Sequence, residues 1–339
     1  MKKLLALLMV IAFAVSSFAG DVARKGTTGA DQLLIPVGAR GIATGGALIA
    51  TLTGVEALFY NPAGAAVAQN SEAMFNYMTY MADINMSYFA AVANLGDFGA
   101  IGLSFKSFDF GDIPVTTVES PNGTGANYSP SFLVAGLSYS KIITDRVAIG
   151  VTTKIISETI VEANAVGFAL DFGVQYSFGN NLRLGANVMN IGSNMQYTGQ
   201  SLQQKTGISG STAKGSDGIF EVETEPFQIP SYFEMSLSYK YDINDLNTLN
   251  FGSTFRNNNV LEDQLALGLE YGFLNTLFLR GGYNVVTENT DDQNFGYTAG
   301  VGVNYDFSSE LAIVVDYAFR DVKAFPTSNH IFTVKLGLK

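Results

Sequence analysis

From Ser71 to the end of the chain, large apolar residues recur at every second position, with small or polar residues between them. A period of two is the period of a β-strand, whose side chains point alternately to opposite faces. Four segments show it most cleanly. Val166, Phe168, Leu170, Phe172, Val174 and Tyr176 alternate with Gly167, Ala169, Asp171, Gly173 and Gln175. Phe233, Met235, Leu237, Tyr239 and Tyr241 alternate with Glu234, Ser236, Ser238 and Lys240. Leu265, Leu267, Leu269 and Tyr271 oppose Ala266, Gly268 and Glu270; Tyr297, Ala299, Val301, Val303 and Tyr305 oppose Thr298, Gly300, Gly302 and Asn304. The same pattern predicts fourteen strands: 71–81, 84–95, 99–109, 130–141, 147–157, 164–178, 182–197, 231–241, 248–256, 264–273, 277–286, 295–307, 311–320 and 329–339.

A soluble β-sandwich alternates too, but it turns its large residues inward and shows Lys and Glu to water. Here the face opposite the large residues is rich in glycine, which suits a crowded lumen. Composition points the same way. Of 339 residues, 47 % are hydrophobic and 14 % are charged, against about 25 % charged in an average soluble domain. Beyond the first residues, no stretch approaches the roughly 18 consecutive apolar residues of a membrane helix. Lipid offers no hydrogen-bond partner to an open sheet edge, so strands with this pattern cross a membrane only as a closed barrel. The expected fold is all-β, a fourteen-stranded antiparallel transmembrane β-barrel.

The connections have a parity. After even-numbered strands they are short, as at Gly96-Asp97 and Leu274-Asn275-Thr276. After odd-numbered strands most are longer and more polar: 110–129, 158–163, 198–230, 257–263, 287–294 and 321–328. Outer-membrane barrels have short periplasmic turns and long extracellular loops, which places both ends of the mature chain on the periplasmic side. Tyr139, Tyr176, Phe178, Tyr239, Tyr241, Tyr271, Phe273, Tyr305 and Phe307 sit at the short-turn ends with the parity of the apolar face. That is an aromatic girdle at one interface, where outer-membrane lipid is the partner.

Ahead of the strands, residues 1–19 have the layout of a secretory signal peptide: Lys2 and Lys3, the apolar run Leu4 to Val15, and Ser17-Phe18-Ala19 as a small-x-small cleavage site. Residues 20–70 lack strand alternation, and residues 71–339 form the barrel. Within the first unit, Gly38 to Ala66 is compact and rich in small residues. Thr53 followed three residues later by Glu56 has capping-box spacing for a short helix over Leu52–Tyr60, which Pro62 stops at Asn61. A non-strand segment ahead of a barrel this wide is expected to fold as a hatch inside the lumen.

Signals for chemistry are few. No Cys is present, so there is no disulfide framework, thiol nucleophile or thiolate site. A net charge of −11 and a pI near 4.5 exclude nucleic acid as a partner, since that demands a basic surface. His330 is the only histidine; a Ser-His-Asp hydrolase built on it and Asp316 is the remote reading, a polar residue opening the last strand the ordinary one. The run Glu288 to Asn294 has oxygen ligands for a surface Ca²⁺, and a solvated acidic loop accounts for it better. Gly38, Gly41, Gly45 and Gly46 match neither nucleotide-loop signature, because no Lys-Ser/Thr follows and no strand precedes. No cofactor, catalytic residue or metal ligand set emerges, and the chain is not expected to be an enzyme.

Charges of lumen parity are more informative: Lys106, Lys154, Asp171, Arg183, Glu234, Lys240, Arg256, Glu270, Arg280, Asp316 and Arg320. Both signs occur, unlike a single-sign ion filter. If 264–273 and 277–286 form a hairpin, Glu270 and Arg280 stand opposite each other and are expected to pair in the lumen. On stability, Leu267→Arg is expected to cost more than Ser236→Arg, because only the first puts a charge into lipid.

Leu33-Leu34-Ile35-Pro36-Val37-Gly38-Ala39-Arg40, then Gly45-Gly46-Ala47 and Tyr60-Asn61-Pro62-Ala63-Gly64, resemble the N-terminal signature of PorV/PorQ-type outer-membrane proteins, which belong with the FadL-like barrels. Phe110 to Pro114, Lys154 to Glu158, Asp171-Phe172-Gly173, Asn190-Ile191-Gly192 and Ile229-Pro230 extend the resemblance along the chain. It implies a lumenal hatch fixed by Arg40, Gly45, Gly46, Asn61, Pro62 and Gly64. It also implies one of two functions. The first is a secretion-associated role of type IX kind, with secreted protein cargo or secretion-system components as partners. The alternative is FadL-like passive transport of hydrophobic small molecules such as fatty acids. The chain departs from the pattern of outer-membrane barrels in ending Leu336-Gly337-Leu338-Lys339, without a terminal aromatic.

Overall fold

The computed structural model describes residues 26–179, 181–207, 217–287, 293–323 and 325–338. The expected signal peptide, most of the acidic run 288–294 and the middle of the loop 198–230 lie outside these. Fourteen long strands form the wall: β1 (Ser71–Thr79), β2 (Asn85–Asn94), β3 (Ala100–Asp109), β4 (Ser131–Thr144), β5 (Val147–Ile160), β6 (Ala163–Ser177), β7 (Leu182–Gly192), β8 (Tyr232–Asn244), β9 (Asn247–Asn258), β10 (Gln264–Phe273), β11 (Leu277–Val286), β12 (Phe295–Asp306), β13 (Leu311–Val322) and β14 (Asn329–Leu338). Each pairs antiparallel with its sequence neighbours, and β1 closes the ring on β14 from Ser71↔Leu338 to Thr79↔His330. No long strand is left with an open edge.

The alternation turns the large residues outward. Phe168 is 57 % exposed and Leu267 is 50 % exposed, while their neighbours Ala169 and Ala266 are buried. An apolar belt that faces outward on every strand has only lipid to bury it. At the short-turn end, Tyr139, Tyr239, Tyr241, Phe273, Tyr305 and Phe307 remain exposed on that face, and the Tyr139 hydroxyl donates to the Phe98 carbonyl at 2.6 Å.

The strand ends differ from the periodicity at several places. Strand β7 stops at Gly192 rather than 197. Asn190 adopts a left-handed φ of 60° and the register against β6 slips between Leu170 and Phe172, which is a β-bulge. The Asp171 carboxylate takes the Asn190 N–H at 2.8 Å in place of the lost ladder bond. The chain then folds inward, so that Met195 pairs with Phe227 and lies where a Cβ on Gly167 would stand. The β5–β6 connection is a tight turn at Val161-Glu162, not the longer loop its parity suggested, with Val161 at φ 57°.

Inside the ring sits the hatch, all of it irregular or in short turns: a 3₁₀ turn at Asp31–Leu33, α1 (Ala39–Ala43), 3₁₀ turns at Ile49–Thr51 and Gly54–Glu56, α2 (Ala57–Tyr60) and a 3₁₀ turn at Pro62–Ala66. The expected helix over Leu52–Tyr60 is therefore two shorter pieces, and Thr53 makes no capping bond. Glu56 is taken by cations instead, as described below. The first described residues run along the long-loop end, where Gly29 N–H donates to the Gln228 carbonyl at 3.2 Å. Strand β14 ends at the short-turn end.

Candidate functional site

An irregular segment buried in a barrel has a physical difficulty: its backbone N–H and C=O groups lie far from water and lack a regular ladder. The wall supplies the partners. Ser140 Oγ donates to the Ala63 carbonyl at 2.8 Å and accepts from Ala66 N–H at 3.2 Å. Gln175 donates to the Leu52 carbonyl at 3.0 Å, Asn187 to the Tyr60 carbonyl at 2.8 Å, and Thr298 to the Ala43 carbonyl at 2.9 Å. Ser236 and Thr254 share the Ala47 carbonyl, both at 3.2 Å. These polar lumen residues serve the hatch, not lumen water. The ranking expected for Ser236→Arg is therefore not supported, because an arginine there would occupy space the hatch already fills.

Glycine lets the two backbones meet. A Cβ on Gly150 would stand 2.3 Å from the Pro62 carbonyl carbon, and one on Gly282 the same distance from Thr44. Asn61 faces Gly173 and does three things at once. Its side-chain oxygen accepts from Ala63 N–H at 3.1 Å, capping the turn that Pro62 opens. Its amide donates to the Val174 carbonyl at 3.1 Å and the Ala186 carbonyl at 3.4 Å, on two adjacent wall strands. Gly45 and Gly46 both hold positive φ, at 63° and 74°, where the chain leaves α1. Gly64 has the Leu52 carbonyl 2.3 Å from where its Cβ would be.

Arg40 carries the electrostatic side of the docking. Its Nε and Nη2 grip the Glu270 carboxylate at 2.9 and 3.0 Å, and Nη1 reaches Glu56 at 3.2 Å. Arg280 Nε meets the same Glu270 at 2.7 Å, so Glu270 and Arg280 are paired across β10 and β11, and Arg280 Nη1 reaches Asp316 at 2.5 Å. That last bond passes over β12 at Gly302, where a Cβ would stand 2.0 Å from the Asp316 oxygen. Lys335 lies 3.8 Å from Glu56. Burial alone would raise the Glu56 carboxyl, but Lys335, Arg40 and Arg280 outweigh it and hold the group below its ordinary value of 4.5. The result is a chain of alternating charges from hatch to wall, with charge-assisted and partly bidentate bonds.

Toward the long-loop end the lumen opens into a cavity of about 440 Å³, floored by Gly41, Ile42, Gly45, Gly46 and Tyr60 of the hatch. Leu34, Ile35, Pro36, Leu261, Ala266 and Phe295 give it apolar walls; Asp31, Arg256, Gln264, Asn284 and Arg320 give it polar ones. Glu234 and Arg256 pair with each other at 2.6 Å. Arg320 is 5 % exposed, and its Nε and Nη2 find no hydrogen-bond partner among the described residues. A second hollow of about 480 Å³ lies on the outer face, between Tyr139, Val151, Phe172, Val188 and Phe233. It is a dip in the lipid-facing belt over the glycine contacts.

Of the remaining lumen charges, Lys154, Lys106 and Lys240 have partners, whereas Arg183, half-buried near the short-turn end, makes no ion pair among the described residues. Lys154 pairs with Asp171 at 2.7 Å beside the β7 bulge. Lys106 donates to the Gln32 carbonyl at 2.7 Å and to the Ile35 carbonyl, tying the first hatch segment to β3. Lys240 is exposed at the short-turn end, 3.1 Å from Asp242. His330 faces outward beside Tyr317, whose hydroxyl is 2.8 Å from Nδ1, while Asp316 faces the lumen, so the two do not form a hydrolase pair. Sequence reasoning read Glu56 as a helix cap and placed Arg320 among mixed charges. A signal for Arg320 was nonetheless present: across the ladder stand Thr298 and Asn329, neither of them acidic.

A closed fourteen-stranded antiparallel barrel is the architecture of FadL-like outer-membrane barrels. Solved structures share it. The toluene transporter TodX of P. putida matches with a TM-score of 0.56 at 14% identity, covering 90% of this chain and 98% of that one. A structure described as the CymD monoaromatic hydrocarbon channel matches with a TM-score of 0.55 at 13% identity over the same shares. A FadL homologue from Pseudomonas aeruginosa matches with a TM-score of 0.51, 13% identity and the same shares. At such identities the likeness is one of fold. No protein-family profile and no curated protein matches the chain.

Proposed function

We propose that this chain is a non-enzymatic outer-membrane barrel that binds a small hydrophobic molecule at its long-loop mouth and passes it inward past the hatch. The cavity above the hatch is the observation that carries the reading. It is concave, with apolar and polar side chains mixed around it, and of the size that small-molecule sites have, about 300–1,000 Å³. The structural neighbours described as channels and transporters of toluene and monoaromatic hydrocarbons support it. In this reading Arg40, Gly45, Gly46, Asn61, Pro62 and Gly64 hold the hatch, residues 20–70 are the moving unit and residues 71–339 the wall. The short-turn end faces the periplasm. The secretion-associated role that PorV/PorQ resemblance implies has no feature among the described residues in its favour.

Native mass spectrometry of protein extracted gently from its own membrane tests the proposal. A hydrophobic small molecule carried at stoichiometric ratio is the expected result. A stoichiometric protein partner on a barrel without such a molecule would overturn it in favour of the secretion role.

A further inference from the structure

The position of Arg320 deepens the channel reading and rests on it. A buried guanidinium is ordinarily matched by a carboxylate, since an uncompensated buried charge is costly. Buried Arg280 follows the rule with Glu270 and Asp316, and so do the half-buried Arg40 with Glu270 and Arg256 with Glu234; half-buried Arg183, near the short-turn end, makes no ion pair among the described residues. Arg320 has none among the described residues. It is held instead by stacking, with its guanidinium carbon 3.9 Å from the Phe295 ring centroid and 5.9 Å from that of Tyr80. Asp31 lines the same cavity but makes no ion pair with it. The two unused donors, Nε and Nη2, form the side-on fork of the guanidinium, whose parallel N–H bonds match the two oxygens of a carboxylate.

We propose that Arg320 is an anion subsite of the lumen cavity and that the molecule it selects is a small aromatic carboxylate. The fork supplies the recognition of the carboxylate. Phe295, Tyr80 and Tyr60, which line the cavity with Leu34, Ile42 and Leu261, supply the aromatic and apolar surface for the ring. A neutral hydrocarbon would fill the same space and leave both donors unpaired.

The test is calorimetry on the full barrel in lipid nanodiscs, with benzoate, methyl benzoate, toluene and inorganic phosphate as probes and empty nanodiscs as the reference. Benzoate is expected to bind at least tenfold more tightly than methyl benzoate, and phosphate to bind far more weakly than benzoate. Arg320→Met should abolish the preference for benzoate while leaving methyl benzoate affinity as it was. Arg320→Lys, which keeps the charge but not the fork, should recover only part of it. Equal affinity for benzoate and its ester in the native barrel overturns the subsite, and that comparison stands even if the variants fail to fold. Phosphate binding as tightly as benzoate overturns the carboxylate assignment. Absence of binding by any of the three organic probes overturns the channel reading itself.

Discussion

Arg280 and Arg320 stand on nearby strands of one wall, both buried, both turned into the lumen. One is saturated and the other is not. Arg280 lies at the level of the hatch, where Glu270 and Asp316 close around it. Arg320 lies above the hatch, stacked on Phe295 and facing the cavity with two donors that are unpaired among the described residues. The same side chain in the same barrel is thus part of a lock at one height and an open receptor at another. The difference is made by what stands across the ladder: Glu270 opposite Arg280, but Thr298 and Asn329 opposite Arg320.

The largest effect expected from breaking this contrast is at Arg280. Arg280→Met strands Asp316 without its cation and should cost about 3–5 kcal/mol, measured by urea unfolding in lipid vesicles. A cost under about 1 kcal/mol would show the lumen charges to be individually solvated, and the lock would not exist. Next comes Leu267→Arg, which puts a charge against lipid and should cost about 2–4 kcal/mol by the same assay. Gly150→Val should cost about 1–3 kcal/mol through overpacking. Its sharper reading is proteolysis: trypsin should cut after Arg40 in the variant and leave that bond intact in the native barrel.

Acid acts on the lock through Glu56. The folded Glu56 carboxyl lies below its ordinary 4.5, so its contribution is complete above that pH and fades as pH falls through the lower folded value. Hydrogen exchange in residues 39–66 should therefore be slow at pH 7 and accelerate below about 4.5, before the wall strands change. The smallest stability effect is expected at Arg320. Arg320→Met removes unpaired buried donors and should be neutral or slightly stabilising, the opposite sign to Arg280→Met. Equal losses at the two arginines would erase the contrast.

Much of this was legible in the chain. Period-two alternation predicted the strands, because a two-residue repeat with one large face has few ways to bury itself. Glu270 and Arg280 could be placed opposite each other because a short turn at Leu274–Thr276 fixes the hairpin register. The short pieces of the hatch were much harder to read. Thr53 and Glu56 have the spacing of a cap, but a local signal of that kind is worth only about 1 kcal/mol, and the cations of Arg40 and Lys335 outbid it for Glu56. The bulge at Asn190 likewise answers to a contact with Asp171 that no short window of sequence contains.

What the sequence determined by itself is the wall: strand order, outward face, and a small inner face suited to holding something. These follow from nearest-neighbour geometry and from the intolerance of lipid for unpaired backbone. What only the tertiary structure decided is the use of each inner residue. Glycine is a contact at Gly150 and a bridge at Gly302, and arginine a clamp at Arg40 and an open fork at Arg320. Those roles depend on which part of the hatch arrives at which height in the lumen. That meeting joins residues hundreds of positions apart, through packing that no periodicity encodes.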